Sequence, residues 1–200
     1  MKKGNKHSTW ATLGATNHSN SEREENDFYA TEPKATRLLC EVEKFNPVIL
    51  EPCCGVGSIS EVLKDYGYNV YSYDLIYRGY GNKQEFDFLE DILPMYDNNI
   101  LFDIITNPPY KDAEAFVRRS IEVVPNNCKV AMFLKLQFLE GQARRKLFDV
   151  CPPKVVYVSS ARLQCAKNAE FEKYGNNAQA YAWFVWQKGF KGDPIIKWIN

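Results

Sequence analysis

The sequence predicts an α/β domain built as a doubly wound sheet, and three observations carry that expectation. Short apolar runs suited to buried strands alternate with segments whose apolar residues recur at helical spacing, from Thr31 to Gln187. Where the first three predicted strands end, polar or acidic residues, Glu51, Asp74 and Asn107, lead into loops that carry glycine or proline. Finally, 200 residues with 45% hydrophobic and 14% aromatic content suffice for one sizeable core but not for two full domains. Alternation of this kind gives a largely parallel sheet whose ligands sit at the carboxyl ends of its strands.

Residues 1–27 are rich in Ser, Asn, Thr, Lys and Glu, with Trp10 and Leu13 as the large apolar groups, and read as a flexible polar leader ahead of a single domain over 28–200. Thr31-Glu32-Pro33 then opens a helix with proline in its first turn, followed by Leu38, Leu39 and Val42. Pro47 to Leu50 is a short buried strand. Gly55-Val56-Gly57-Ser58 turns the chain, and Ser58 is expected to cap a helix from Ile59 to Tyr66. Asn69 to Tyr73 is a second strand ending at Asp74; a loop with Gly79 and Gly81 and a short segment from Glu85 to Leu93 follow. The strand 100–106 runs into Asn107-Pro108-Pro109-Tyr110. Residues 112–124 are helical by spacing, Cys128 to Leu136 is a strand, and Glu140 to Val150 is a helix stopped by Pro152-Pro153. Lys154 to Val158 and Gln179 to Gln187 complete the sheet.

The strand ends carry the chemistry. Two prolines fix their own φ and bias the residues before them towards extended backbone, so Asn107 and Tyr110 are held in defined directions. Asn offers one side-chain acceptor group and two donors, and Tyr a flat face, which suits a planar group bearing NH2. The alternative is a turn that merely ends a strand. In Glu51-Pro52-Cys53-Cys54-Gly55-Val56-Gly57 the glycines let backbone approach a ligand. Glu51 there suits a cationic ligand better than a pyrophosphate. Asp74 stands where an acid meets ribose hydroxyls in doubly wound nucleotide sites, and Asp87-Phe88 suit an adenine edge and ring.

Taken together, Glu51 to Gly57, Asp74, Asp87-Phe88 and Asn107 to Tyr110 resemble the S-adenosylmethionine-dependent amino-methyltransferases, most closely the DNA N6-adenine enzymes. Asp27-Phe28-Tyr29-Ala30-Thr31-Glu32-Pro33 looks like the cofactor-side segment that precedes the glycine motif in the gamma-class order. Phe138 to Gly141 and Tyr181 to Trp186 look similar to phage-type members. The resemblance spans residues 27–187. It implies a Rossmann-like methyltransferase sheet, mostly parallel with an antiparallel last strand, and S-adenosyl-L-methionine as cofactor.

It also implies cofactor contacts from Phe28, Tyr29, Thr31, Glu51, Pro52, Cys53, Gly55, Gly57, Asp74, Leu75, Asp87, Phe88 and Asn107. Glu51 would meet the methionine amino group, Thr31 the methionine carboxylate, Asp74 the ribose, and Asp87 and Phe88 the adenine. Asn107, Pro108, Pro109 and Tyr110 would be catalytic. Substrate contacts are implied from Lys111, Arg162 and either Phe171 or Tyr174; a hairpin loop with solvated lysines is the other reading of residues 159–178.

Charge and composition limit the partners. Net charge is zero, which excludes a grip on nucleic acid by bulk electrostatics alone. Residues 1–110 nevertheless hold 10 Lys/Arg against 17 Asp/Glu, and residues 111–200 hold 15 against 8, so the second half suits an anionic substrate. Six cysteines without a secretory signal are expected to be free thiols, and no Cys/His spacing suggests a metal site. No apolar run suits a membrane span, and a cytoplasmic location, in a phage or prophage setting, is expected. After Gln187 only thirteen residues remain, so no separate target-recognition domain is present in the chain as read. Specificity would then come from loops, the leader, a partner subunit or a homodimer. RNA bases, a protein glutamine amide, or a non-catalytic binding role remain alternatives to DNA adenine.

Overall fold

A computed structural model describes residues 28–93, 100–172 and 179–200. The polar leader, Lys173 and Tyr174 lie outside these residues. The chain enters through a short strand β1 (Tyr29–Thr31) and helix α1 (Pro33–Val42), whose N-terminal proline loses no helical hydrogen bond. Strand β2 (Val48–Glu51), helix α2 (Ser58–Asp65) and strand β3 (Asn69–Ser72) follow, then β4 (Phe102–Thr106), α3 (Ala113–Val123) and β5 (Lys129–Lys135). A 3-10 turn (Leu136–Leu139) precedes α4 (Gln142–Val150), and strands β6 (Val155–Ser159), β7 (Cys165–Lys167), β8 (Tyr181–Gln187) and β9 (Ile195–Ile199) end the described chain.

Seven strands form one sheet in the order β3-β2-β4-β5-β8-β6-β9. All of them run parallel except β8, which is antiparallel to both β5 and β6. The chain leaves β2 towards one edge and resumes at β4 towards the other. The switch point therefore lies between the carboxyl ends of β2 and β4, where open α/β sheets bind their ligands.

Period-2 alternation supplies both faces of this sheet. Leu50, Ile104, Val130, Met132, Phe184 and Trp186 face the core shared with Phe116 and Val117 of α3 and Leu147 of α4. Ile49, Ile105, Ala131, Phe133, Trp183 and Val185 face the core shared with α1 and α2. Each buried tryptophan satisfies its indole N–H, Trp183 on the Ala35 carbonyl at 2.8 Å and Trp186 on the Cys151 carbonyl at 3.1 Å. At the amino end, buried Asp103 accepts bonds from Asn46 N (2.6 Å), Asn46 Nδ2 (2.9 Å) and Lys129 N (2.6 Å), fastening β4 to its neighbours.

The strand read over Gln179 to Gln187 is β8 and is antiparallel as expected, but it is not the last: β9 follows it and runs parallel at the sheet edge, beyond the boundary read from sequence. Ser58 does not cap α2. Gly57 occupies the N-cap at φ 87°, and no side chain caps that end. The short segment Glu85 to Leu93 forms turns, and α4 starts at Gln142 rather than Glu140, after the turn Leu136–Leu139. Finally, β1 and β7 pair antiparallel as a separate ribbon, Tyr29 opposite Lys167 and Thr31 opposite Cys165. Neither strand has three residues of alternation beyond its own length, so the pattern that reveals long strands is absent from both.

Candidate active site

Three strand ends meet at the switch point. After β2 the chain reverses through Gly55 (φ 55°) and Gly57 (φ 87°), both in the left-handed region that disfavours a Cβ. A Cβ on Gly57 would lie 2.6 Å from the Tyr80 ring, and one on Gly55 would lie 3.1 Å from the Phe28 ring. The two glycines are thus required by backbone shape and by the aromatics laid on them.

Asp74, just past β3, ties this turn down. Its Oδ2 accepts a bond from Gly55 N at 2.8 Å, and its Oδ1 accepts bonds from Ile76 N at 3.0 Å and Arg78 Nη1 at 2.9 Å. The Arg78 guanidinium also lies 4.8 Å over the Phe28 ring. The structure therefore brings together three residues singled out from sequence, Phe28, Gly55 and Asp74. It adds Arg78, which sequence reasoning missed despite its i+4 spacing from Asp74. Leu75 is exposed beside them, and Pro52 is buried. Burial pushes the Cys53 thiol up, next to Thr106.

Two of the positions singled out from sequence are engaged within the protein itself. Glu51 was expected as an anion at the strand tip. It is instead buried, accepts a bond from Ser60 Oγ, and that hydroxyl lies 2.5 Å from Ser72 Oγ. The pleat explains this: Ile49 packs against α2, and period 2 sends Glu51 to the same face, where Ser60 of α2 meets it. Burial pushes the Glu51 carboxyl up to about 8, the Ser60 bond opposing that shift and the Asp74 charge adding to it. At neutral pH Glu51 is a neutral acid.

Phe88 is likewise committed to the core, 5.2 Å from Phe116 and 6.4 Å from Phe86 between ring centres. Asp87 builds a turn. Its Oδ1 accepts a bond from Leu89 N, and its own N–H donates to Asp91 Oδ2. Beside this turn lies a recess of about 470 Å³ lined by Tyr73, Gln84, Glu85, Phe86, Asp91 and Ile92.

The end of β4 is different in character. Asn107 donates from Nδ2 to the Tyr29 carbonyl at 2.8 Å and towards Cys165 Sγ at 3.6 Å. A carbonyl only accepts, so the amide nitrogen must face Tyr29 and the amide oxygen must face away. That oxygen, Asn107 Oδ1, is buried and meets no hydrogen-bond partner among the described residues. Glu32 Oε1 is likewise buried with no partner among the described residues, whereas Thr106 meets the Cys53 thiol and both Thr31 and the Tyr110 hydroxyl meet the Cys165 thiol. Buried polar atoms are paired in most folded proteins, so unpaired ones mark a place where something else binds.

Tyr110 lies between Tyr29 and Tyr181, with ring centres 6.2 and 6.1 Å away, and Lys135 Nζ stands 4.8 Å from its centroid. Burial holds the Tyr110 phenol far above its ordinary value. Tyr181 was missed as a site residue. Its place opposite Lys135, at the start of antiparallel β8, brings it to the carboxyl end of the other strands. Glu32, adjacent to Thr31, was also passed over. Of the predicted substrate contacts, Lys111 is exposed and 3.8 Å from Asp112, and Arg162 is exposed. Phe171 is half-buried in the turn after β7; the rings beside Tyr110 are Tyr29 and Tyr181. Tyr174 lies outside the described residues.

Among the described residues no helix is long and apolar enough to cross a membrane, and no group of three or more His, Cys, Asp or Glu is arranged to hold a metal ion. None of the six cysteines, all among the described residues, forms a disulfide.

Solved structures of other proteins share this fold. The fold is similar to that of a candidate class I S-adenosylmethionine-dependent methyltransferase from Listeria monocytogenes, at 13% identity and TM-score 0.51, covering 82% of this chain and 62% of that one. It is similar to a TehB-like S-adenosylmethionine-dependent methyltransferase from Corynebacterium glutamicum, at 11% identity and TM-score 0.50, covering 91% and 94%. A candidate hemolysin from Lactococcus lactis is also similar, at 14% identity and TM-score 0.56, covering 82% and 91%. No protein-family model matches the chain. No curated protein matches it by sequence either.

Proposed function

We propose that this protein transfers a methyl group from S-adenosylmethionine to an exocyclic amino nitrogen, N6 of adenine in DNA. The observation that carries the proposal is the buried, unpartnered Asn107 oxygen beside Tyr110, in a fold shared with class I methyltransferases. An aromatic amine is a weak nucleophile because its lone pair is delocalised into the ring. Asn107 Oδ1 and the Pro108 carbonyl accept its two N–H groups, which favours a pyramidal nitrogen. As the nitrogen becomes more cationic during transfer, these acceptors bind it more strongly, so they stabilise the transition state over the ground state. No strong general base is needed. Tyr110 stacks on the base, and stacking at ~1–3 kcal/mol per base offsets part of the cost of extruding it from a duplex.

The residues present fit the cofactor, though not in every position the resemblance implied. Bound, S-adenosylmethionine supplies an electrophilic methyl on a sulfonium. Asp74 Oδ2 has capacity for a ribose hydroxyl beyond its Gly55 bond, and Gly55 and Gly57 let backbone come close. Glu32 offers an unpaired oxygen and Thr31 a hydroxyl to the polar methionine end, while Glu51 lies buried against Ser60. Leu75 offers apolar surface next to Asp74. The basic second half of the chain, with Lys135 beside Tyr110, supports an anionic polymer as substrate. We assign target choice to the chain's loops, a partner subunit or a second copy.

Incubation with methyl-labelled S-adenosylmethionine and separate DNA, RNA and protein pools tests this. Label in DNA, recovered as N6-methyladenine after digestion and mass analysis, is expected. Label confined to RNA or to protein would overturn the DNA assignment while keeping the enzyme class.

A further inference from the structure

The orientation of Asn107 is not set by its own strand. Both groups that its amide nitrogen meets come from the small ribbon, the Tyr29 carbonyl from β1 and Cys165 Sγ from β7. An asparagine amide has two hydrogens, and here each is committed to a different strand of one hydrogen-bonded pair. With both hydrogens held, the side chain cannot rotate without breaking two contacts, and Oδ1 is left facing away from the ribbon.

We propose that the β1–β7 ribbon is a positioning clamp for Asn107 and that Cys165 is its positioning residue. The proposal rests on the functional reading above and explains why a separate two-stranded element lies across the end of β4. The Tyr29 half of the clamp is backbone, which every residue supplies. The Cys165 half is a side chain and is therefore specific to this sequence. Cys165 is buried, with Tyr110, Asn107, Thr31 and Tyr181 around it, and burial raises its thiol to about 11, so it stays an uncharged acceptor at neutral pH. A thiolate in its place would set a full negative charge beside the amine-binding oxygen. The register fixes the geometry: Thr31 lies opposite Cys165, and the Glu32 N–H donates to the Gln164 carbonyl at 3.1 Å, anchoring the ribbon next to the clamp.

The test compares Cys165→Val, which puts a strand-favouring apolar residue there and removes the acceptor, with Cys165→Ser, which keeps one. Cys165→Ala serves in place of the valine variant if that one does not fold. In the valine variant kcat for methyl transfer is expected to fall about tenfold while affinity for S-adenosylmethionine changes less than twofold; the serine variant should recover to within about threefold of the parent. Equal loss in both variants, or no loss in the valine variant, would overturn the positioning role.

A second readout needs no activity. In the 15N-labelled full chain, the Asn107 amide proton facing Cys165 should exchange at least tenfold faster in Cys165→Val, with the proton facing Tyr29 little changed. Identical exchange in parent and variant would overturn the clamp. If the protons behave as expected but the parent methylates nothing, the clamp stands and the functional reading falls.

Discussion

The two ends of the central sheet treat buried polar atoms in opposite ways. At the amino end, Asp103 is engaged by three donors between 2.6 and 2.9 Å, and Glu43 is engaged by Lys129 Nζ at 2.6 Å and the Tyr157 hydroxyl at 2.8 Å. At the carboxyl end, Glu32 and Asn107 each carry a buried oxygen with no partner among the described residues, and Thr31, Thr106 and Tyr110 meet only weakly bonding thiols. An unpaired buried polar atom costs on the order of 1–3 kcal/mol, so the carboxyl end is the less stable arrangement. The amino end is built to hold strands together. The carboxyl end keeps acceptors in reserve for N–H groups and positive charge that the protein does not itself provide.

Substitutions at the two ends should therefore separate stability from function. The largest effect expected is on stability, from Asp103→Ala. It leaves the N–H groups of Asn46 and Lys129 unpaired inside the fold and should cost about 2–5 kcal/mol in chemical denaturation. Loss of less than 1 kcal/mol would show that the amino end is not a clamp.

Next in size is Asp74→Ala, which should weaken S-adenosylmethionine binding about 10- to 100-fold by calorimetry, as the residue both fixes the Gly55 turn and offers its carboxylate. Gly57→Ala should cost about 1–3 kcal/mol, because it places a Cβ at positive φ against the Tyr80 ring. Thermal melting would check it, and an unchanged transition would contradict the contact.

The last effect is a slope. Glu51 keeps its proton in the fold up to about pH 8, whereas the unfolded chain releases it near 4.5. Below 4.5 both states hold the proton. Between 4.5 and 8 only the folded state does, so the contribution of Glu51 to stability is fully present below 4.5 and is lost as pH rises towards 8. Melting followed across that window should show the decline, and Glu51→Gln should remove it. A variant that keeps the full slope would place the titration elsewhere.

Much of this architecture was legible in the residues. The alternation of apolar runs located every strand from β2 to β6 and also β8, because each packs between two layers and repeats with period 2. The strand-end motif at Asn107 was legible because two prolines restrict the backbone there whatever the fold. Other features were not, for physical reasons. Glu51 and Phe88 were read as ligand contacts because sequence gives a residue's place on the chain and not the face that its pleat or turn assigns to it. The β1–β7 ribbon escaped notice because three-residue strands carry no period, and so did the link from Asn107 to Cys165, which spans 58 positions. Arg78 and Tyr181 belong to the site only once the sheet order is known.

The central claim is that the unpaired Asn107 oxygen receives the amine that is methylated. Its most direct test is single-turnover transfer from labelled S-adenosylmethionine to duplex DNA by the parent and by Asn107→Ala, with product bases identified by mass and cofactor affinity measured on both. The parent should yield N6-methyladenine, and the variant should lose on the order of 10²–10³ in rate while binding the cofactor within about threefold of the parent. A variant that transfers as fast as the parent, or that loses cofactor binding in equal measure, would contradict the account.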